Sequence, residues 1–316
     1  MADDPAIPPA APGPTDARPA GWKSARERGS LFALRLVVVT TTLFGRALPR
    51  LFLAPAVALY YLVFAREARA AARGFLRRVH GREPTLRELY APFLRFVQVT
   101  LDALFIVRGK HHHYTATQNG HEHLEALRAA GQGAILLGAH LGSFHAMRMR
   151  SGAHGLRLYP VVYTKNARIF NDLLDELDPD NRTTLLEMDP EAGMDFMLRI
   201  REIVESGGLV AILGDRADDE GRTVLADFLG EPARFPAGPY LLASMLRCPV
   251  YLVLGLHEPP SHYELFCEPF AERIELPRKQ REEALAGYVR AYAARLEHHA
   301  RAHPDNWFNF YDFWKK

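Results

Sequence analysis

The sequence predicts an α/β fold: a central, largely parallel or mixed sheet flanked by helices, preceded by an N-terminal hydrophobic helical segment that associates with a membrane. Two features predict it. Beyond residue 131, apolar runs of strand length alternate with helical stretches, as in strand–helix–strand units. Before residue 65 lie two almost uninterrupted apolar runs, Leu31–Phe44 and Leu51–Phe64. Of the 316 residues, 48% are hydrophobic and 24% charged, the values of a globular core in one large domain, with or without appendages. A formal net charge of +2 demands no nucleic-acid partner. A mean hydropathy of -0.14 excludes a polytopic membrane protein but not one seated on a membrane surface. The two cysteines, Cys248 and Cys267, cannot staple a secreted mini-domain and point to a reducing compartment.

Residues 1–28 are rich in Pro and Ala and carry Asp3 and Asp4, unlike a secretory signal; they read as a disordered tail. Residues 29–82 form the membrane-associating segment. Each apolar run has about 14 residues, short of the ~20 that span a bilayer. With Arg46 and Arg50 between them, the runs suit two interfacial helices or a hairpin; two buried core helices or a single spanning helix are the alternatives. The arginines that follow, Arg66, Arg69, Arg73, Arg77, Arg78 and Arg82, are placed to meet anionic headgroups.

Residues 83–316 form the α/β domain. Leu86–Val107 has helical periodicity, with a bend expected near Pro92. Glu122–Ala130 is a short helix stopped by Gly131. Strands are expected at Ala134–Leu137, Leu158–Tyr163, Thr183–Met188, Leu209–Leu213 and Val250–Gly255. Helices are expected between them, at Phe144–Arg150, Ala167–Leu177, Pro190–Glu205 and Pro239–Leu246. Tyr263–Glu268 suits an antiparallel strand and Lys279–Ala302 a long amphipathic helix. The aromatic tail Asn306–Trp314 packs back on the domain or on the bilayer.

The strongest chemical signal is GAILLGAHLGSFHAMR, Gly133–Arg148. A buried strand ends, His140 follows, and Gly142 turns the chain into a helix. Open α/β sheets place ligands at the carboxyl ends of their strands. An imidazole there titrates near neutrality and suits general-base work, and a helix N-terminus offers N–H groups to a developing anion. A histidine that only caps the next helix accounts for the same residues equally well. Ser143 is flanked at two residues by Leu141 and His145 rather than glycines, so it is no nucleophile elbow. Gly131 and Gly133 precede the strand, so there is no dinucleotide fingerprint.

A second strand, Leu209–Leu213, ends at Gly214, Asp215 and Arg216. Arg216 suits clamping a phosphate or steadying an oxyanion, with a surface ion pair to Asp215 as the plainer account. Phe235 and Gly238 lead into the next helix. His111, His112, His113, His121 and His123 match no zinc spacing and read as a polar linker; His298, His299 and His303 read as solvated. Arg148, Arg150, Arg157 and Arg168 suit an acidic carrier protein or lipid phosphates, or are scattered surface charges.

Taken together, the hydrophobic N-terminal segment, the strand–His140–x–Gly142 turn, the strand–Gly214–Asp215–Arg216 end, the block FLGEPARFPAGPYLLA and the closing NWFNFYDFW resemble the bacterial lipid A biosynthesis (late) acyltransferases, of the lysophospholipid-acyltransferase type. The resemblance covers roughly residues 30–314 and looks closest to the branch found with aryl polyene clusters. It implies an enzyme on the cytoplasmic face of the inner membrane. Such an enzyme moves a fatty acyl group from a thioester, usually on acyl carrier protein and otherwise on CoA, to a hydroxyl of a membrane lipid. The acceptor would be a lipid A precursor, a related glycolipid or an aryl polyene lipid. No metal and no cofactor beyond the acyl thioester are implied.

The family pattern is a histidine followed, after four residues, by an acid. The histidine falls on His140 and the acid position on His145, a departure. A neutral His145 can orient the ring but brings no charge, and by analogy with protease triads a spoiled carboxylate costs on the order of 10⁴ in rate. One outcome is that Asp215 or Glu187 substitutes for it in the expected site. Otherwise the enzyme is slow or takes a more acidic acceptor, or the chain is a non-catalytic lipid- or carrier-binding relative. A thioester hydrolase is a further alternative. The resemblance thus implies catalytic His140, His145, Asp215 and Arg216, with Gly142, Ser143, Arg148, Gly214, Phe235 and Gly238 around the substrate. The N–H groups of Gly142 and Ser143 are the expected oxyanion donors, and the acyl chain would lie in an apolar groove lined by the N-terminal helices.

Overall fold

Seven strands form the central sheet: in spatial order β1 (Thr115–Asn119), β9 (His262–Ala271), β8 (Val250–Glu258), β2 (Ala134–Gly138), β5 (Leu209–Leu213), β3 (Leu158–Val162) and β4 (Leu186–Glu187). Every neighbouring pair is parallel except β8 with β9. The computed structural model describes residues 40–41, 45–151, 157–162, 186–187, 193–217 and 221–315. The tail 1–28, most of the run Leu31–Phe44, the helix expected at Ala167–Leu177 and Arg168 lie outside the described residues.

The middle strands are apolar because helices cover both faces of a parallel sheet. All five residues of β2 are buried, as are the first four of β5. The expected antiparallel strand is present as β9, and both it and β8 run longer than their apolar stretches suggested. Two elements differ from expectation. The polar linker that follows the His111–His113 turn contains an edge strand, β1, whose Thr and Gln residues alternate between exposed and half-buried. The block around Phe228 and Phe235 is a separate ribbon, β6 (Thr223–Phe228) with β7 (Glu231–Pro236), closed by Leu229 and Gly230. Both turn residues have positive φ, 54° and 83°, as a tight two-residue hairpin requires.

The helices are α1 (Ala54–Phe64), α2 (Arg66–His80), α3 (Leu86–Val107), α4 (His121–Ala129), α5 (Phe144–Ser151), α6 (Gly193–Glu205), α7 (Gly238–Leu246) and α8 (Arg281–Ala302). Thr85 and Glu88 form a capping box that starts α3, which runs unbroken through Pro92. By length and composition α3 is apolar enough to cross a membrane, but 61% of its apolar window is buried inside the molecule. It also carries buried Arg95 and Asp102, so it is a core helix of the fold. The aromatic tail packs on the domain: Trp307 stacks on Phe75 at 4.9 Å between ring centres, and Phe310 on Phe93 at the same distance.

The N-terminal arm is fastened by a buried polar knot. Arg50 donates to both oxygens of Asp102 at 2.7 and 2.9 Å. The same carboxylate accepts the hydroxyls of Tyr114 at 3.0 Å and Tyr263 at 2.9 Å, and is 1% exposed. Buried His257 lies against Arg50 at 2.9 Å and Arg95 at 3.1 Å, and Arg95 pairs with Asp305 at 2.6 Å. Burial, then Arg95, Arg50 and Arg46, push His257 down to about 2, so it stays neutral.

The basic cluster serves the fold more than expected. Arg69 donates to the carbonyls of Leu62 and Val63 at the end of α1. Arg78 pairs with Glu231 at 2.6 Å and lies over Trp314, and Arg82 pairs with Glu88. These three are therefore engaged within the chain; Arg73 and Arg77 lie at 3.7 Å from Glu83 in exposed pairs, and Arg66 is exposed.

Removing one partner of a buried ion pair costs about 3–5 kcal/mol, because the other is left uncompensated. Arg50→Ala is therefore expected to lower the unfolding free energy measured by urea denaturation by an amount in that range. Arg82→Ala, which opens an exposed pair, should leave the unfolding curve almost unmoved.

Candidate active site

Register builds the site. Gly138, at the end of β2, pairs with Leu213, at the end of β5, and the ladder continues one step further from the Gly214 N–H to the Gly138 carbonyl at 2.9 Å. Two residues past that pair on each strand, His140 stands opposite Asp215 at the carboxyl edge of the sheet. This edge is where open α/β sheets bind ligands. Gly214 admits the close approach: a Cβ there would lie 2.7 Å from a methyl of Leu137 and 3.2 Å from the Tyr292 ring.

The Asp215 carboxylate is wholly buried and fully occupied. Its Oδ1 lies 3.0 Å from His140 Nδ1. Its Oδ2 accepts the backbone N–H of His140 at 3.0 Å and the side-chain amide of Asn309 at 2.7 Å. Arg216 donates from Nε to the Asn309 carbonyl oxygen at 2.8 Å. The tail carrying Asn309 is bonded to both sides of His140: Phe308 N–H donates to the His140 carbonyl at 2.9 Å, and Gly142 N–H donates to the Asn306 carbonyl at 2.8 Å.

These contacts fix the chemistry of the ring. Burial alone would raise Asp215, but His140, Arg216 and Asn309 override it and hold the carboxyl below the usual range. An ionised carboxylate only accepts, so Nδ1 carries the proton and Nε2 keeps its lone pair. Burial, then the Arg216 charge, lower His140 against the opposing pull of Asp215. The imidazole is thus neutral at pH 7, and with its side chain 26% exposed it can accept a proton from outside.

Of the expected site residues, His140, Asp215 and Arg216 are brought together. His145 is half-buried on α5 with its ring edge against Phe144, and the Nδ1 position its family counterpart was expected to fill belongs to Asp215. The side chains of Arg148 and Arg150 on α5 and of Glu187 on β4 lie outside the described residues. Arg157 is exposed and bonded to the Ser206 carbonyl.

Four expectations are corrected. The N–H groups of Gly142 and Ser143 are already spent, donating to the carbonyls of Asn306 and Gly255 at 2.8 and 2.6 Å, so they are not poised as oxyanion donors. The Ser143 hydroxyl, 3% exposed, caps α5 through the Ala146 N–H. Phe235 is 0% exposed, packed against Phe228, Tyr292 and Phe313, and presents nothing to a substrate, whereas Gly238, at the start of α7, is exposed. Asp215 is no surface partner of Arg216, and His299 is no solvated residue: it is buried and bonded to Glu268 at 2.7 Å. Sequence reading missed Asn306 and Asn309. Their signal was two amides inside an aromatic run, which when buried must find partners.

Gly142 has φ of +80°, and a Cβ there would sit 2.3 Å from the Gly255 carbonyl oxygen. Gly142→Ala therefore combines left-handed strain with a backbone clash and is expected to displace His140. Loss of the native His140 imidazole resonance, together with a lowered melting temperature, is the measurable outcome.

No curated protein matches the chain. The family model of the bacterial lipid A biosynthesis acyltransferases matches residues 43–316, which contain the whole sheet, both strand ends and the tail that closes on them. On that match the chain belongs to the bacterial lipid A biosynthesis acyltransferase family.

Proposed function

We propose that this acyltransferase moves a fatty acyl group from an acyl thioester to a hydroxyl of a membrane lipid, with His140 as general base. The observation that carries the reading is the contact of His140 Nδ1 with a buried carboxylate at the mouth of the sheet. Nε2 takes the hydroxyl proton as the oxygen attacks the thioester carbonyl. The tetrahedral intermediate collapses, the C–S bond breaks, and the imidazolium returns its proton to the leaving thiolate. Asp215 keeps the tautomer and steadies the transient imidazolium. Arg216 brings positive charge for the oxyanion or for a donor phosphate. Acyl carrier protein is the expected donor carrier, with acyl-CoA as its substitute. The acceptor is a lipid A precursor or a related glycolipid or aryl polyene lipid.

The membrane side of the reading rests on α1 and the turn before it. Leu51, Phe52 and Phe64 are 66%, 63% and 67% exposed, and Leu48, Leu59, Tyr60 and Val63 are exposed beside them. Such a contiguous apolar face marks an interaction surface. Pro49–Phe64 is a helical rod about 24 Å long, below the ~30 Å of a hydrocarbon core, and α2 leaves it at 92° with Arg66, Arg73 and Arg77 exposed. The rod would dip into the cytoplasmic leaflet of the inner membrane while α2 lies along the headgroups. The double variant Phe52→Glu with Leu59→Glu is expected to weaken binding to vesicles about 100-fold, at roughly 1.5 kcal/mol for each buried side chain lost.

Incubation with acyl-carrier thioesters and bacterial membrane lipids tests the chemistry. Thiol release and acylated lipid are expected from the parent and not from His140→Ala. Asp215→Asn should lose on the order of 10⁴ in rate, by analogy with the protease triad. His145→Glu should not raise turnover above the parent, since Nδ1 already has its carboxylate. Because His140 is lowered, the neutral base persists as pH falls, and the acid limb of the rate profile should lie below the ordinary ~6.5 of histidine. Thiol release no greater than in His140→Ala would end the enzymatic reading in favour of a lipid- or carrier-binding relative. Free fatty acid formed without acceptor would mean a hydrolase.

A further inference from the structure

We propose that Asn309 is a positioning residue for the His140–Asp215 pair, its side-chain amide fixing the orientation in which the carboxylate faces the Nδ1 of the ring. The proposal deepens the general-base reading above and rests on it for its consequence in turnover, though not for its geometry.

The amide has no freedom. Asn309 is 1% exposed. Its carbonyl oxygen accepts from Arg216 Nε at 2.8 Å and its NH₂ donates to Asp215 Oδ2 at 2.7 Å. A flipped amide would set its oxygen against a carboxylate and its N–H groups against a guanidinium, two repulsions in place of two bonds. The orientation is therefore fixed by the charges on either side. With Oδ2 held by Asn309 and by the His140 backbone N–H, the carboxylate meets the imidazole Nδ1 with both oxygens, Oδ1 at 3.0 Å and Oδ2 at 3.2 Å.

The backbone around Asn309 reinforces this. Phe308 N–H reaches the His140 carbonyl, and Asn306 receives the Gly142 N–H. Asn306 is itself locked by two bonds to the His257 backbone, at 2.8 and 3.1 Å. The tail thus refers His140, on one strand, and Asp215, on the next, to a common third element. The charged and titratable groups that bear on the pair are Arg216, Tyr311, Tyr240 and Tyr292. All the tyrosines are neutral near pH 7, so Asp215 supplies the negative charge and Arg216 the positive charge of this set.

Two variants and one measurement on the unsubstituted protein test this. Full-length protein labelled at histidine and asparagine is titrated in detergent by nuclear magnetic resonance, with His140 and Asn309 assigned by the signals missing from His140→Ala and Asn309→Ala. Asn309→Asp keeps the size and the acceptor for Arg216 but sets a second carboxylate against Asp215. It is expected to raise the His140 titration by about one pH unit, because added negative charge favours the imidazolium. Asn309→Ala frees the carboxylate to turn, and should lower kcat about 10- to 100-fold with little change in KM for the acyl thioester, as loss of an orienting partner does. In the unsubstituted protein the Asn309 amide signal should shift as His140 titrates, which needs no variant to fold.

An amide signal that ignores the His140 titration overturns the proposal. So does an Asn309→Asp protein, folded by its melting curve, whose His140 titration overlays the parent. These readouts need no substrate. A parent without acyl transfer but with coupled titrations defeats the functional reading and leaves the positioning intact; turnover with uncoupled titrations does the reverse.

Discussion

A carboxylate with no access to water governs the carboxyl edge of the sheet in this molecule. Asp215 is completely enclosed, and an enclosed charge persists only where each oxygen has a donor. Three donors come from two other elements: the ring and backbone of His140 after β2, and Asn309 from the tail. The requirement to satisfy Asp215 therefore assembles the site. Strand register brings His140 alongside, and the tail must arrive before the arrangement is complete.

The same physics recurs at the knot around Asp102, with the opposite outcome. There the carboxylate receives an arginine and two tyrosine hydroxyls, and a neutral histidine lies against two guanidinium groups. Both ring nitrogens of His257 are enclosed, Nδ1 against Arg95 and Nε2 beside Arg50 and Asp102, so this cluster fastens the arm bearing Arg50 to the sheet rather than meeting a ligand. At the active site the ring has one nitrogen engaged and one with a lone pair. The two clusters differ in which imidazole retains an unshared pair near an exposed surface.

Much of the fold was legible because its central strands are continuous apolar runs between glycines. Leu209–Leu213 and the helix Leu86–Val107 have the bounds their patterns suggest. Strand β1 was hidden because Thr-Ala-Thr-Gln-Asn on a sheet edge carries no apolar stripe. The ribbon β6–β7 was hidden by Pro232 and Pro236, which read as loop but are tolerated on an edge. In the site, His140, Asp215 and Arg216 were readable from their place after strands. The fate of the Gly142 and Ser143 amides was not, since their acceptors lie at Asn306 and Gly255, more than a hundred residues along the chain. Nor was Phe235 readable as core, because aromatic residues line cores and grooves alike. The basic run after Phe64 mixed exposed arginines with ones, such as Arg78, whose partners are set only by tertiary packing.

The separation of Asn309 from Asp215 by 94 positions has a consequence for biosynthesis. On the ribosome, both strand ends emerge well before the amide that binds them. A nascent polypeptide stopped after α8 carries the His140 ring and the Asp215 carboxylate, yet lacks the amide that bonds to that carboxylate. Enclosure of that carboxylate is thereby deferred until the last few residues of the polypeptide have been made.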